Sequence, residues 1–411
     1  MGGRTVTLAI ALGGLALIWA GMFVYVIVNR AIDDVQKQVV DAFRQRMRRR
    51  MVSAVRAGGE VDVDRVLGRL RAAAVLRAAT ETTTPTAVAR VFSQHLLRRA
   101  EPRIRALLVP RRGRRWQHVA ALRVAALGGL PEATTVLRDA IRSPDEEVQA
   151  AGVRILGELG TPAAQSVLVE ALKEGAFARS RLAAQLGRAS LSVETLRPLL
   201  EGTEPIVRYW GAKLLQHASD SPDAGDALLA AAADNDANVR AAAAASLASD
   251  ASDQATRTLV ALLGDASAHV RLHAARSIGR RGTVSAVDDV ASLLRDQDWW
   301  VRTSAKRALE NLGSEAVPAV MPYVRTGDEF ARNGAAEILQ NLGLVRTLVD
   351  RVATATNGDG EAAAAELALI LRAGGPRFAS LALEHLDHDS SARVHAIVSG
   401  TRVHAIVGDL V

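Results

Sequence analysis

One short motif returns along most of this chain at nearly constant spacing, and that return restricts the fold more than any other feature. Segments 145–149, 204–208, 236–240, 267–271, 298–302 and 328–332 align on an apolar fourth member, at Val148, Val207, Val239, Val270, Val301 and Ala331. Ala178, followed by Arg179, fills the gap, so the steps are 30, 29, 32, 31, 31 and 30 residues. Val119 extends the series one unit backward, and degraded units near Ala363 and Arg393 extend it forward. A fixed period in this range belongs to stacked repeats, in which each unit buries its apolar face only against its neighbours.

Each unit has a physical reading. Asp145, Asp236, Asp298 and Asp328 stand three residues before the apolar position, where a carboxylate can cap the free amides of a helix start. Apolar or small residues then follow at offsets 0, +4 and +8, as in Val270, Ala274 and Ile278, or Val301, Ala305 and Leu309, which share one helical face. Gly157, Gly187, Gly279, Gly313 and Gly343 suit the ends of these helices. A shorter apolar-periodic run precedes each one, as at Val167, Leu168 and Leu172 or Leu259, Leu262 and Leu263. Two antiparallel helices per unit is the expectation. The composition agrees: 49% hydrophobic but 3% aromatic describes helices packed closely through small side chains.

The recurring Asp-x-x-Val-Arg, Ala-Ala and Leu-Gly elements resemble the HEAT-like repeats, in particular their short bacterial form. The resemblance implies an all-α, HEAT-like α-solenoid of about 8–10 two-helix repeats. It also implies an Asp and Arg ladder between neighbouring repeats, with a structural job for Arg208, Arg240, Arg271, Arg302 and Arg332. Gln149 and Ser267 depart from that pattern, and the stretch from Ala241 to Ala245 is bland.

Ahead of the repeats, residues 5–28 carry no charge and are long enough as a helix, at about 1.5 Å per residue, to cross a hydrocarbon core of about 30 Å. They read as an uncleaved single-pass transmembrane helix, because no small-x-small cleavage site follows. Arg4 precedes the run, whereas Arg30, Lys37, Arg44, Arg46, Arg48, Arg49 and Arg50 follow it, which places the N-terminus outside and the solenoid in the cytoplasm. The full division is a tail at 1–4, the span at 5–28, a juxtamembrane basic helix at 29–57, a helical cap or degenerate repeats at 60–115, the solenoid at 116–400 and a C-terminal tail at 401–411. Within the net charge of +7, residues 30–123 hold 22 Lys or Arg against 8 Asp or Glu, and residues 124–411 hold 28 against 36. The basic character is therefore local to the membrane-proximal third.

Catalytic constellations are scarce. The chain has no cysteine, no Gly-x-Ser-x-Gly elbow, no phosphate loop and no His-Glu-x-x-His. His385 and His388 are spaced to share a helical face but lack further ligands, so neither a metal nor a cofactor is expected. Trp299 and Trp300 read as packing between neighbouring repeats. At offset +6 stand Arg154, Ala184, Lys213, Ala245, Arg276, Arg307 and Glu337, and Tyr209 and Asn333 stand at +2. If the second helices line the inner surface, as in the resembled family, Arg154, Lys213, Arg276 and Arg307 with Tyr209 and Asn333 form the candidate partner-binding surface. A basic loop of Arg111, Arg112, Arg114, Arg115 and Trp116 is the second candidate. These features favour a non-enzymatic scaffold that docks a membrane-associated protein, with contact to anionic lipid open and nucleic acid disfavoured by the acidic balance of the repeats. The rival is an enzyme or enzyme subunit of the HEAT-like lyase type, which calls for convergent His, Asp or Tyr around a pocket.

Overall fold

Why the repeated motif starts helices is visible at its caps. In the computed structural model, which describes residues 86–218, 222–354 and 358–383, Asp145 Oδ1 accepts from the amides of Glu147 and Val148 at 3.0 and 3.3 Å. Asp236, Asp298 and Asp328 repeat that geometry on Val239, Val301 and Ala331. Each carboxylate satisfies amides that have no partner inside the helix. Ser267 and Glu204 make no such side-chain bond, and their helices start without it. Among the described residues every regular element is helical. The residues of the expected span at 5–28, the basic helix at 29–57 and the first part of the cap lie outside those described. None of the described helices is long and apolar enough to cross a membrane.

The chain divides into two units between Ala164 and Gln165. The first contains α1 (Thr86–Leu108), α2 (Arg115–Gly128), α3 (Ala133–Ala140) and α4 (Glu146–Leu159), and α5 (Pro162–Glu174) crosses the division. Pro102 and the non-helical Ala100 bend α1, because a proline ring removes a ladder bond and crowds the preceding turn. Helix α1 packs on α2, and α2 on α4. The approach of α1 to α2 is close: a Cβ at Gly128 would stand 2.3 Å from Leu97 Cδ1. A buried bidentate pair, Arg123 Nε and Nη2 to the Glu158 carboxylate at 2.9 and 2.8 Å, ties α2 to α4.

The second unit holds α6 (Arg179–Leu186), α7 (Val193–Leu200), α8 (Pro205–Leu214), α9 (Pro222–Ala231), α10 (Ala237–Ser246), α11 (Asp253–Leu262), α12 (Ala268–Arg281) and α13 (Val287–Ser292). It continues with α14 (Trp299–Leu312), α15 (Val317–Val320), α16 (Glu329–Asn341), α17 (Leu344–Thr354) and α18 (Gly358–Leu383). The motif-bearing helices α8, α10, α12, α14 and α16 pack on one another in series. Val239, Val270, Val301 and Ala331 are buried, and so are Ala274, Ile278, Ala305 and Leu309, as the offsets require. Full burial of a Leu or Ile side chain contributes about 1.5–3 kcal/mol.

Two glycines do work that their spacing misassigns. Gly157 and Gly279 lie inside α4 and α12, and the left-handed residues that close those helices are Gly160 (φ 59°) and Gly282 (φ 68°). Gly279 serves close approach instead, since a Cβ there would stand 2.6 Å from Ala308 Cα on α14. It lets α12 and α14 meet backbone to backbone.

A ladder of ion pairs runs along one edge of this unit. Arg208, Arg240 and Arg271 each place Nε and Nη2 on a carboxylate of the following repeat, Asp234, Asp265 and Asp296, at 2.7–3.0 Å. Nη1 of each turns back to two carbonyls of the preceding loop, for example Asp234 and Asn235 for Arg240. The ladder carboxylates are not the helix caps; they stand two residues earlier and also accept from the amides of Asp236, Ser267 and Asp298 at 2.8 Å. Asp234 and Asp265 are held below the usual carboxylate range first by the hydrogen bonds from Arg208 and Arg240. Burial pushes Asp296 up, and the bonds from Arg271 and the Asp298 amide more than offset it. Arg302 and Arg332, for which the resemblance implies the same job, reach carbonyls but meet no ladder carboxylate among the described residues.

Candidate functional site

The ladder consumes one flank of the second helices and leaves another open. On that open face of the second unit, Lys213, Arg276 and Arg307 are exposed, as offset +6 predicts, with Tyr209 half-buried and Asn333 exposed at offset +2. Glu337 closes the series and is paired with Lys306. Among the described residues no carboxylate stands within ion-pair distance of Lys213, Arg276 or Arg307. Lys213 is oriented by aromatics, its Nζ 5.6 Å from the Tyr209 ring and 5.0 Å from the Trp210 ring. Arg276 Nε donates to Ser304 Oγ at 3.2 Å, across to α14. Arg154, in the first unit, is likewise exposed on α4.

Between α8 and α12 lies the alanine-rich α10, which buries Ala241 to Ala244 and, at the open-face offset +6, presents only the half-buried Ala245. The bland stretch is thus the low floor between two equipped helices. His273 on α12 faces that region, its ring 4.7 Å from that of His269. Burial first, then the charges of His269, Arg276, Arg280 and Lys213, push His273 down to about 4. The histidine therefore senses one cationic field built from α8 and α12 together. Trp210, His269, His273 and Arg280 were not singled out from the sequence. Their signal is the same periodicity, at offsets −1, +3 and +10, which lie one and two helical turns apart along one face.

The basic loop of the first unit is less open than its composition suggests. Arg111, Arg112 and Arg114 are exposed and Trp116 is partly so, but Arg115 pairs with Glu147 at 2.9 Å and Asp145 at 3.5 Å. Trp299 and Trp300 do not pack between repeats: they are 56% and 59% exposed, stacked edge to face on each other at 4.5 Å. The small alanines of α12 and α14 fill the space between those helices, leaving the indoles outside. A cleft of about 310 Å³ in the second unit is lined by Arg197, Glu201, Arg208 and Asp234, all tied up in ion pairs. His385, His388 and the duplicated C-terminal stretch lie outside the described residues, within which no group of three metal-ligating side chains converges.

The family model of HEAT repeats matches residues 115–187, 225–310 and 256–340. No curated protein matches the sequence. Among solved structures, an engineered protein is 20% identical, with 79% of this chain and 99% of that one covered at a TM-score of 0.33. The complex of CpcE and CpcF of phycocyanin lyase from Nostoc sp. PCC7120 is 19% identical, with 54% and 95% covered at 0.31. Kap95p, in a complex with RanGDP, is 12% identical, with 80% and 55% covered at 0.43. At these scores the likenesses carry no argument about activity or partner. The match falls on the helix pairs described above, so residues 115–187 and 225–340 carry HEAT repeats.

Proposed function

We propose that this chain is a membrane-anchored HEAT-repeat scaffold, held by residues 5–28 with its solenoid in the cytoplasm, and that it docks a membrane-associated protein through the open face of its second helices. The observation that carries the reading is the contrast between two sets of basic residues in the second unit. Arg208, Arg240 and Arg271 are spent on the ladder. Lys213, Arg276 and Arg307 stand exposed with no carboxylate among the described residues in reach. An unpaired cationic row beside half-buried aromatics suits an acidic protein surface, which it attracts mainly through the association rate.

Arg276→Glu with Arg307→Glu tests this. The double variant loses capture of the acidic partner at unchanged thermal stability, and capture by the unaltered chain weakens steeply with salt. His273 supplies a second readout. An acidic partner offsets the surrounding cations, so its titration moves upward from about 4 on binding. Retained capture by the double variant, with loss on altering Arg111 and Arg112, transfers the site to the first unit. Reporter fusions test the anchor: a C-terminal reporter active only outside the cytoplasm, or a mature chain that begins after residue 28, refutes it.

A further inference from the structure

The ladder has an unfinished end. Its carboxylates stand at Asp234, Asp265 and Asp296, two residues before the next helix cap, and the corresponding position before Asp328 is Thr326. Arg302 consequently keeps the two back-bonds of its counterparts, Nη1 to the carbonyls of Asp296 and Gln297 at 2.7 and 3.1 Å. Its Nε and Nη2 edge, which in Arg208, Arg240 and Arg271 grips a carboxylate, meets none among the described residues. The guanidinium instead lies 4.8 Å from the centroid of the Phe330 ring. The Thr326 hydroxyl is already engaged by Arg295 at 2.8 Å.

Around this end stand the most exposed aromatic side chains among the described residues, Trp299, Trp300 and Phe330, the last 68% exposed. Trp299 precedes Arg302 by three residues on α14 and so shares its flank, and Phe330 is the second residue of the adjacent α16. Exposed tryptophan and arginine side by side are what binding hot spots are made of. We infer that the edge formed by Trp299, Trp300, Phe330 and Arg302 captures an extended segment of a protein partner, whose Asp or Glu completes the ladder on Arg302 while an adjacent apolar side chain covers the indoles.

The inference rests on the scaffold reading but on different residues from the cationic row. A protein carboxylate fits better than an anionic bilayer here. Exposed Glu329 adjoins Phe330, and Asp298 and Asp328 stand at the same helix starts, their carboxylates taken up by backbone amides. Those charges repel a lipid surface, whereas the geometry of an Arg fork selects a single planar carboxylate.

Selection of a random twelve-residue peptide library on the purified full chain tests the proposal. Enriched peptides carry an Asp or Glu next to an apolar residue. Thr326→Asp, which supplies the missing carboxylate internally, raises the melting temperature and weakens those peptides about tenfold or more, whereas Thr326→Asn leaves them within about twofold. Trp299→Ala with Trp300→Ala weakens them similarly without lowering the melting temperature. Absence of enrichment, enrichment without an acid, or indifference to Thr326→Asp overturns the inference. Loss on Arg276→Glu with Arg307→Glu but not on Thr326→Asp also overturns it, while leaving the scaffold reading intact. In vesicles containing brominated phosphatidylcholine, quenching of emission that the tryptophan double variant lacks assigns the edge to a lipid surface instead and overturns it.

Discussion

The two units lock neighbouring repeats together by different means. In the first, Gln149 stands where the ladder arginine belongs, and the most buried lock is one pair, Arg123 with Glu158, set in the middle of α2, beside the exposed pairs of Arg115 with Glu147 and Asp145. In the second, the lock is a series of partly buried pairs at the loop edge, whose arginines keep 18–21% of their surface exposed and each bind two carbonyls as well. A buried pair is unforgiving, because losing one partner strands the other charge in a poor solvent. A series spreads the same task over several rungs, and an arginine whose edge reaches water and two carbonyls is left less stranded when its carboxylate is lost.

That comparison breaks most readily at its buried member. Arg123→Ala is expected to cost about 3–5 kcal/mol, and replacing Arg123 and Glu158 together by Met and Leu to recover much of it. Chemical denaturation of the two variants checks both values. Leu309→Ala in the second unit should cost about 2–5 kcal/mol through the cavity it leaves, which calibrates core loss against ion-pair loss in the same assay. Gly279→Ala forces α12 off α14 and is expected to cost about 1–3 kcal/mol, with Ala308→Gly restoring part of it. Asp298→Ala removes a cap alone, at about 0.5–2 kcal/mol, and a melting curve unchanged by it refutes the cap assignment.

The smallest effect is one of pH. Asp234 and Asp265 have folded values below their unfolded ones, so their contribution is complete above the unfolded carboxylate value of about 4 and fades as pH falls through the lowered folded values. Asp234→Asn with Asp265→Asn should flatten the acid limb of the stability curve of the second unit, and hydrogen exchange at acid pH measures it.

Much of the second unit was legible because its physics is periodic. The caps at Asp236, Asp298 and Asp328 and the buried face at Val270, Ala274 and Ile278 each recur, so position in the repeat announces their job. The ladder carboxylates recur too, as an Asp two residues before the next helix cap, but the motif drew attention to the capping residue instead. The pair of Arg123 and Glu158 occurs once, 35 residues apart, and no spacing rule could announce it. Gly279 was misread because a glycine near a helix end signals both termination and close packing, and only the position of α14 decides. Trp299 and Trp300 were misplaced for a related reason: large aromatics favour burial in general, yet the alanines beneath them had already filled the gap. At the candidate site the cations were legible from one offset. The alanine floor and His273 needed three adjacent helices at once.

Each rung of the ladder joins residues only 25 or 26 apart in the chain. A molecule sewn together at such short range has little loop to close before its contacts form, so its repeats can assemble quickly and in many orders. The same shortness shapes its response to force. Pulled from one end while the other is tethered, such an array yields one repeat at a time, each rung releasing a similar length of chain, and behaves as an extensible strut rather than a rigid arm.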